Sequence, residues 1–147
     1  MIDLTELDLP HYICLEPEGT RVVHVTINPQ SGPYMRGTFR FSITYPLTYP
    51  FYPPRVRCLE RVFHPNITPE GAVCLNILRL DWSPALSTQV VIWGLVLVLE
   101  EPNAEEPLNQ AAGELLEKDP KEFQRVVDCT MCGGTYGKVS FDNILRP

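Results

Sequence analysis

Proline is the feature that most limits what this chain can build. Fifteen of its 147 residues are proline, concentrated in the first two thirds. A proline cannot donate to a β-ladder, and inside a helix it breaks the hydrogen-bond run. The first two thirds must therefore turn often, or pass through long, rigid, ordered loops.

Between the prolines the pattern is that of strands. In residues 20–27, TRVVHVTI, Val23, Val25 and Ile27 point one way and Val22, His24 and Thr26 the other. That is a period of two, the mark of a half-buried strand. Residues 37–45, GTFRFSITY, repeat it with Phe39, Phe41 and Ile43 on one face. Asn28-Pro29 and Ser31-Gly32-Pro33 supply turn chemistry between them, so the two strands form a hairpin. A short strand over Arg55–Leu59 follows the next Pro-rich turn, and a weaker signal lies near Tyr12–Leu15. Together these predict an antiparallel meander of three or four strands.

Residues 61–86 show little periodicity. A stretch of about 25 residues is long for a structureless loop in a compact domain, and such loops are usually functional or disordered. This one carries Phe63, Ile67, Val73, Leu75, Ile77, Leu78 and Trp82. Disorder would leave that apolar surface in water, so the segment reads as ordered and functional.

Helical periodicity then takes over. Ser87 or Thr88 caps a helix that runs to about Glu101 and stops before Pro102. It is apolar nearly all round, which places it in the core. A second helix runs from Leu108 to about Lys118. Asp119-Pro120 opens a third, which ends at Gly133-Gly134. The tail from Thr135 is short and mixed. Strands first and helices afterwards is an α+β order, and the length fits one domain, residues 1–147.

Composition removes several function classes. The net charge is −6, with basic residues scattered, so neither nucleic acid nor an anionic membrane is a favoured partner. The longest apolar run, Val90 to Leu99, is half of what a bilayer span needs. The N-terminus, MIDLTELDLP, has acids where a secretory signal has basic residues. Five cysteines, an odd number, point to free thiols in a reducing compartment, the cytoplasm or nucleus. A monomer is the default expectation. Cys129 and Cys132 form a CxxC, but no second pair completes a zinc site, and a redox pair sits at a helix start rather than a helix end. No metal or other cofactor is expected.

The informative residues are YPFYPP at 49–54, HPN at 64–66, GAVCLNIL at 71–78, DWSPALS at 81–87 and EEPNAEEPLN at 100–109. In this ordered set the chain resembles the ubiquitin-conjugating enzymes, from about Leu7 to the C-terminus. CLNIL, DWSPAL, EEPNAEEPLN and the terminal MCGGTYGKVSFDNILRP look most like the branch that conjugates the Nedd/Rub modifier. The resemblance implies the ubiquitin-conjugating fold: a four-stranded antiparallel meander packed on helices, with a long ordered active-site loop. It also implies a thioester cycle. A heterodimeric activating enzyme spends ATP and passes the modifier's C-terminal glycine to a cysteine. A RING-type ligase then brings a substrate lysine, on cullins for this branch, to attack the thioester.

Each residue of the constellation has a chemical reason. A cysteine thiolate is a good nucleophile and a good leaving group, so Cys74 can carry an acyl group primed for an amine. No Lys or Arg lies beside it in sequence, which predicts a modestly reactive thiol dependent on its partner for activation. Asn66 stands eight residues earlier, the family spacing. Its amide can stabilise the oxyanion or brace a loop, and both readings stay open. Glu106, before Pro107-Leu108, matches the family's acidic gate and can orient the attacking amine; Glu105 is a weaker candidate. Asn76 can help position the lysine. His64 is structural in the family. His11 and His24 read as packing or surface residues. Phe51, Pro84 and Ala85 match the two loops that dock ligases, and Trp82 reads as a structural wedge.

Two departures stand out. The family's amphipathic N-terminal helix is shortened here to MIDLTELDLP, and Leu80 replaces an acid of this branch. The short N-terminus keeps an inactive binding module of the same fold as an alternative, beside a carrier of ubiquitin itself. A thiol hydrolase using His64 and Cys74 is a third reading.

Overall fold

A computed structural model describes Leu4, residues 7–79 and residues 81–147. Four strands, β1 (Ile13–Glu18), β2 (Val22–Ile27), β3 (Phe39–Thr44) and β4 (Arg55–Cys58), form one antiparallel sheet in sequence order. The register pairs Val23 with Ile43, Val25 with Phe41 and Ile27 with Phe39. All six are buried, while His24, Arg40 and Arg57 stand on the opposite face. The period-two pattern thus sets the buried face, since a slip of one residue would expose every apolar side chain.

The β1 signal was weak for a physical reason. It is an edge strand with only Ile13 fully buried, so its sequence barely alternates. It also runs past Leu15 to Glu18 and includes Pro17, which an edge position tolerates.

Among the described residues four helices follow: α1 (Asn76–Arg79), α2 (Thr88–Glu100), α3 (Gln110–Lys118) and α4 (Pro120–Met131). Their starts are capped by side chains. Ser87 accepts from Val90 N, Asn109 from Ala112 N and Asp119 from Glu122 N, with Pro120 in the first turn. Each such cap is worth about 1 kcal/mol. One apolar core joins the sheet to Val91, Ile92, Leu95 and Leu99 of α2 and to Phe123 and Val127 of α4.

Helix α2 is not buried all round, contrary to its composition. Val90, Trp93 and Leu97 are 40%, 39% and 57% exposed. Their spacing makes one stripe along the face turned away from the core. Hydrophobicity without a clear period does not say which side meets the protein.

The tail is also more ordered than its mixed sequence suggests. Strands β5 (Thr135–Tyr136) and β6 (Val139–Ser140) make a small hairpin. The chain then returns to the start of β3, where Ile144 O accepts from Thr38 N at 2.7 Å, and buries Phe141 and Ile144. At the other end, the expected short helix falls mostly outside the described residues; Leu4 and residues 7–10 are not helical. The substitution at Leu80 also lies outside them.

Candidate active site

The aperiodic segment is held by pairings that no periodicity reveals. From the end of β4, Cys58 N donates to Gly71 O at 2.9 Å. Residues 67–73 fold back on themselves: Ile67 bridges Val73, Gly71 N donates to Thr68 O, and Thr68 Oγ1 accepts from Ala72 N. Gly71 has φ 100, and a Cβ there would strike the Cys58 carbonyl. Glycine is therefore required at this turn. The fold-back brings Cys74 N to Asn66 O at 3.0 Å. The eight-residue spacing of Asn66 and Cys74 is the length of this turn.

His64 holds the near side. It is fully buried and stacked on Tyr34, with ring centroids 4.7 Å apart. Its Nε2 donates to Val98 O at 2.8 Å, and its Nδ1 accepts from Asn66 N at 2.9 Å. Burial pulls its pKa down to about 4, partly offset by the Val98 carbonyl. His64 is thus neutral at pH 7 with both nitrogens occupied. That agrees with a structural role and removes the hydrolase reading, which needs it as a base.

The Asn66 side chain, 7% exposed, holds the far side. Its Nδ2 donates to Asn103 O and its Oδ1 accepts from Asn103 N, both at 2.9 Å. The loop beyond is pinned again where Pro65 O accepts from Leu108 N and Asn109 N at 2.9 and 3.1 Å. Pro107 packs on α3 at Gly113, where a Cβ would lie 2.5 Å from the ring. Glu106 is exposed on this loop, with φ 47. A non-glycine residue in the left-handed region carries strain, and such strain concentrates at functional sites.

Cys74 itself is half-exposed. Its neighbour Leu75 is buried and anchors the start of α1. Asn76, the first residue of α1, is exposed, and its carbonyl accepts from Asp81 N. The turn of α1 carries Arg79 back, placing Nη1 3.8 Å from Cys74 Sγ. No Lys or Arg adjoins Cys74 in sequence, as read above; the cation that reaches it is five residues along the chain and one helical turn away in space. Among the described residues, neither the Glu106 nor the Asn76 side chain bonds Cys74.

Phe51 is 75% exposed, which excludes core packing. Pro84 and Ala85 are exposed on the neighbouring loop. Trp82 ties the two loops together, its Nε1 donating to Pro50 O at 3.0 Å. Leu47 and Tyr52, 85% and 64% exposed, add apolar surface that the motif match did not include. Their signal was available in sequence, as large apolar residues inside a Pro-rich turn. Cys129 and Cys132 are exposed at the C-terminal end of α4, where Cys132 is the cap.

A family model described as ubiquitin-conjugating enzyme matches residues 8–131. The chain belongs to this family. As a ubiquitin-conjugating enzyme it is a transferase that works through a cysteine thioester. It is 43% identical to the NEDD8-conjugating enzyme UBC12 of Saccharomyces cerevisiae, over 99% of this chain and 82% of that protein. It is 41% identical to the protein of the same name from Eremothecium gossypii, over 97% of this chain and 79% of the relative. The solved structure of the S. cerevisiae Ubc12 superposes with a TM-score of 0.93 at 42% identity, covering 98% of this chain and 83% of that one. The fold is that of a ubiquitin-conjugating enzyme, as the motif set implied.

Proposed function

We propose that Cys74 accepts a NEDD8-type modifier as a thioester from a heterodimeric activating enzyme and transfers it to a substrate lysine, on cullin-type targets. The observation that carries this reading is the backbone bond from Cys74 N to Asn66 O, which ties the segment bearing a half-buried thiol to a residue whose carboxamide is buried and braced on Asn103. Near-full-length identity to NEDD8-conjugating enzymes supports the choice of modifier.

The chemistry follows from the geometry. The thiolate attacks the modifier's activated carbonyl, and the new thioester is later attacked by a lysine amine. Asn66 Nδ2 keeps one N–H beyond its bond to Asn103, available to an oxyanion. Glu106, on the loop that Asn66 braces, orients the amine; a carboxylate alone would raise the amine's pKa, so desolvation on substrate docking must offset it. Asn76 stands at the start of α1 as a further positioning group. ATP is used by the activating enzyme, and this chain takes no cofactor.

Leu47, Phe51, Tyr52, Pro84 and Ala85 form the surface for a RING-type ligase, since exposed apolar loop tips suit a modest, transient interface. The enzyme works as a monomer in the cytoplasm or nucleus, where its five unpaired thiols persist.

The test is a charging assay with a NEDD8-activating enzyme, ATP and either NEDD8 or ubiquitin, read on gels with and without thiol reductant. A reducible NEDD8 adduct, lost in Cys74→Ala, is expected. A ubiquitin adduct instead would reassign the modifier. No adduct with either would leave the inactive-module reading.

A further inference from the structure

Nothing in the family match assigns a role to Arg79. It is exposed on the last turn of α1, and its Nη1 lies 3.8 Å from Cys74 Sγ. The contact is built by local structure. Leu75 is anchored in the core, α1 makes a single turn, and the residue five positions after the cysteine returns over it. His64, the nearest histidine in sequence, is neutral and consumed by Val98 and Asn66, so it gives the sulfur no positive charge.

We propose that Arg79 is a catalytic residue that stabilises the Cys74 thiolate both when it enters the thioester and when it leaves. In loading, Cys74 Sγ–H gives its proton to solvent, and the thiolate attacks the modifier's carbonyl on the activating enzyme. A new C–S bond forms, the old one breaks, and the activating enzyme's sulfur departs as a thiolate. In discharge a substrate amine forms the C–N bond and loses its proton to solvent. The C–S electron pair returns to Sγ, facing the Arg79 guanidinium. The charge on Sγ therefore appears twice in the cycle, each time within reach of the same N–H donor, and a guanidinium donor to an anion is a strong partner.

Exposure limits the size of the effect. Two unit charges about 4 Å apart in water interact by an amount equivalent to about five-fold in an equilibrium. A stabilised thiolate is also a weaker nucleophile, which returns part of that gain in attack while leaving it intact for departure. A loss of about two- to three-fold in thiol attack is expected on removing the charge.

The experiment uses the uncharged protein alone, so its outcome does not depend on the choice of modifier. Iodoacetamide is added at one fixed pH near neutrality, and labelling of each cysteine is followed by peptide mass spectrometry. Cys58, buried with its thiol pushed up to about 12 mainly by desolvation, reports any loss of fold by becoming labelled. Arg79→Gln should slow Cys74 labelling by about two- to three-fold at low salt and leave exposed Cys14 unchanged, with Arg79→Lys in between. At 1 M salt, where the screening length is about 3 Å, parent and Arg79→Gln should converge. Equal Cys74 rates in parent and Arg79→Gln at low salt would overturn the proposal. If the Gln variant labels at Cys58, the parent decides: a Cys74 rate that does not fall with salt overturns it equally.

Discussion

Asn66 and Asn103 exchange two hydrogen bonds, side chain to backbone in both directions, each 2.9 Å long. This closed pair fixes the loop that carries Glu106 against the segment that carries Cys74. Bracing is therefore a present function of Asn66, and its remaining N–H is what an oxyanion role must use. Asn66→Asp keeps the acceptor for Asn103 N and removes every donor. It is expected to cost about 1–2 kcal/mol in urea unfolding. Lysine discharge of the charged enzyme should fall by about a hundred-fold, the scale of losing one oxyanion donor. Discharge at the parental rate would leave Asn66 with bracing alone.

The buried His64 makes stability depend on pH. Its folded pKa of about 4 lies below its ordinary value of 6.5, so the unfolded chain binds the proton first as pH falls. Its stabilising contribution is present in full above about pH 6.5 and is lost as pH falls toward 4. Between pH 7 and pH 5 this amounts to about 2 kcal/mol, seen as a lower urea midpoint. His64→Gln should lose that part of the slope. A parent midpoint that does not move over this range would contradict a neutral buried imidazole.

Glu106 separates function from stability. Its backbone stands at φ 47, where a side chain costs about 1–2 kcal/mol that glycine does not bear. Glu106→Gly should therefore leave the melting temperature unchanged or raise stability by up to about 1 kcal/mol, since glycine's unfolded-state entropy offsets part of the relief. Lysine discharge should nonetheless slow, in Glu106→Gly and in Glu106→Gln alike. Charging of Cys74, which precedes the amine, should be unaffected in the Gln variant.

The two apolar loops should behave as one surface. Phe51→Ala removes an exposed side chain, so thermal stability should stay within about 0.5 kcal/mol of the parent while ligase-stimulated discharge falls. Trp82→Phe removes the Nε1–H that holds Pro50 O together with part of the ring that packs near Tyr49, at a cost of about 1–2 kcal/mol. It should weaken ligase stimulation more than unassisted discharge. Equal losses in both assays would place Trp82 with the core instead.

The sheet was legible because its alternation is a local property. Val23, Val25 and Ile27 facing Phe39, Phe41 and Ile43 need only a period of two and a turn to declare themselves. The helix starts at Ser87 and at Asp119-Pro120 were legible for the same reason, since a cap acts within one turn, whereas α3 begins at Gln110 with Asn109 as its cap, two residues after the expected start at Leu108. The Asn66–Cys74 spacing was visible as a motif, although its cause, the fold-back over Gly71, was not.

Sequence by itself determined the strand order, the buried face of the sheet and the approximate course of α2, α3 and α4, because each follows from neighbours a few residues apart, while the ordered motif set and its resemblance singled out Cys74 as the candidate nucleophile. Tertiary structure alone decided which face of α2 meets the core, how Asn66 reaches Asn103 across 37 residues, and that a cation stands over Cys74. The first two depend on distant segments meeting, the third on where a single helical turn points once Leu75 is anchored. Composition and spacing carry no information about such directions until the core has fixed them.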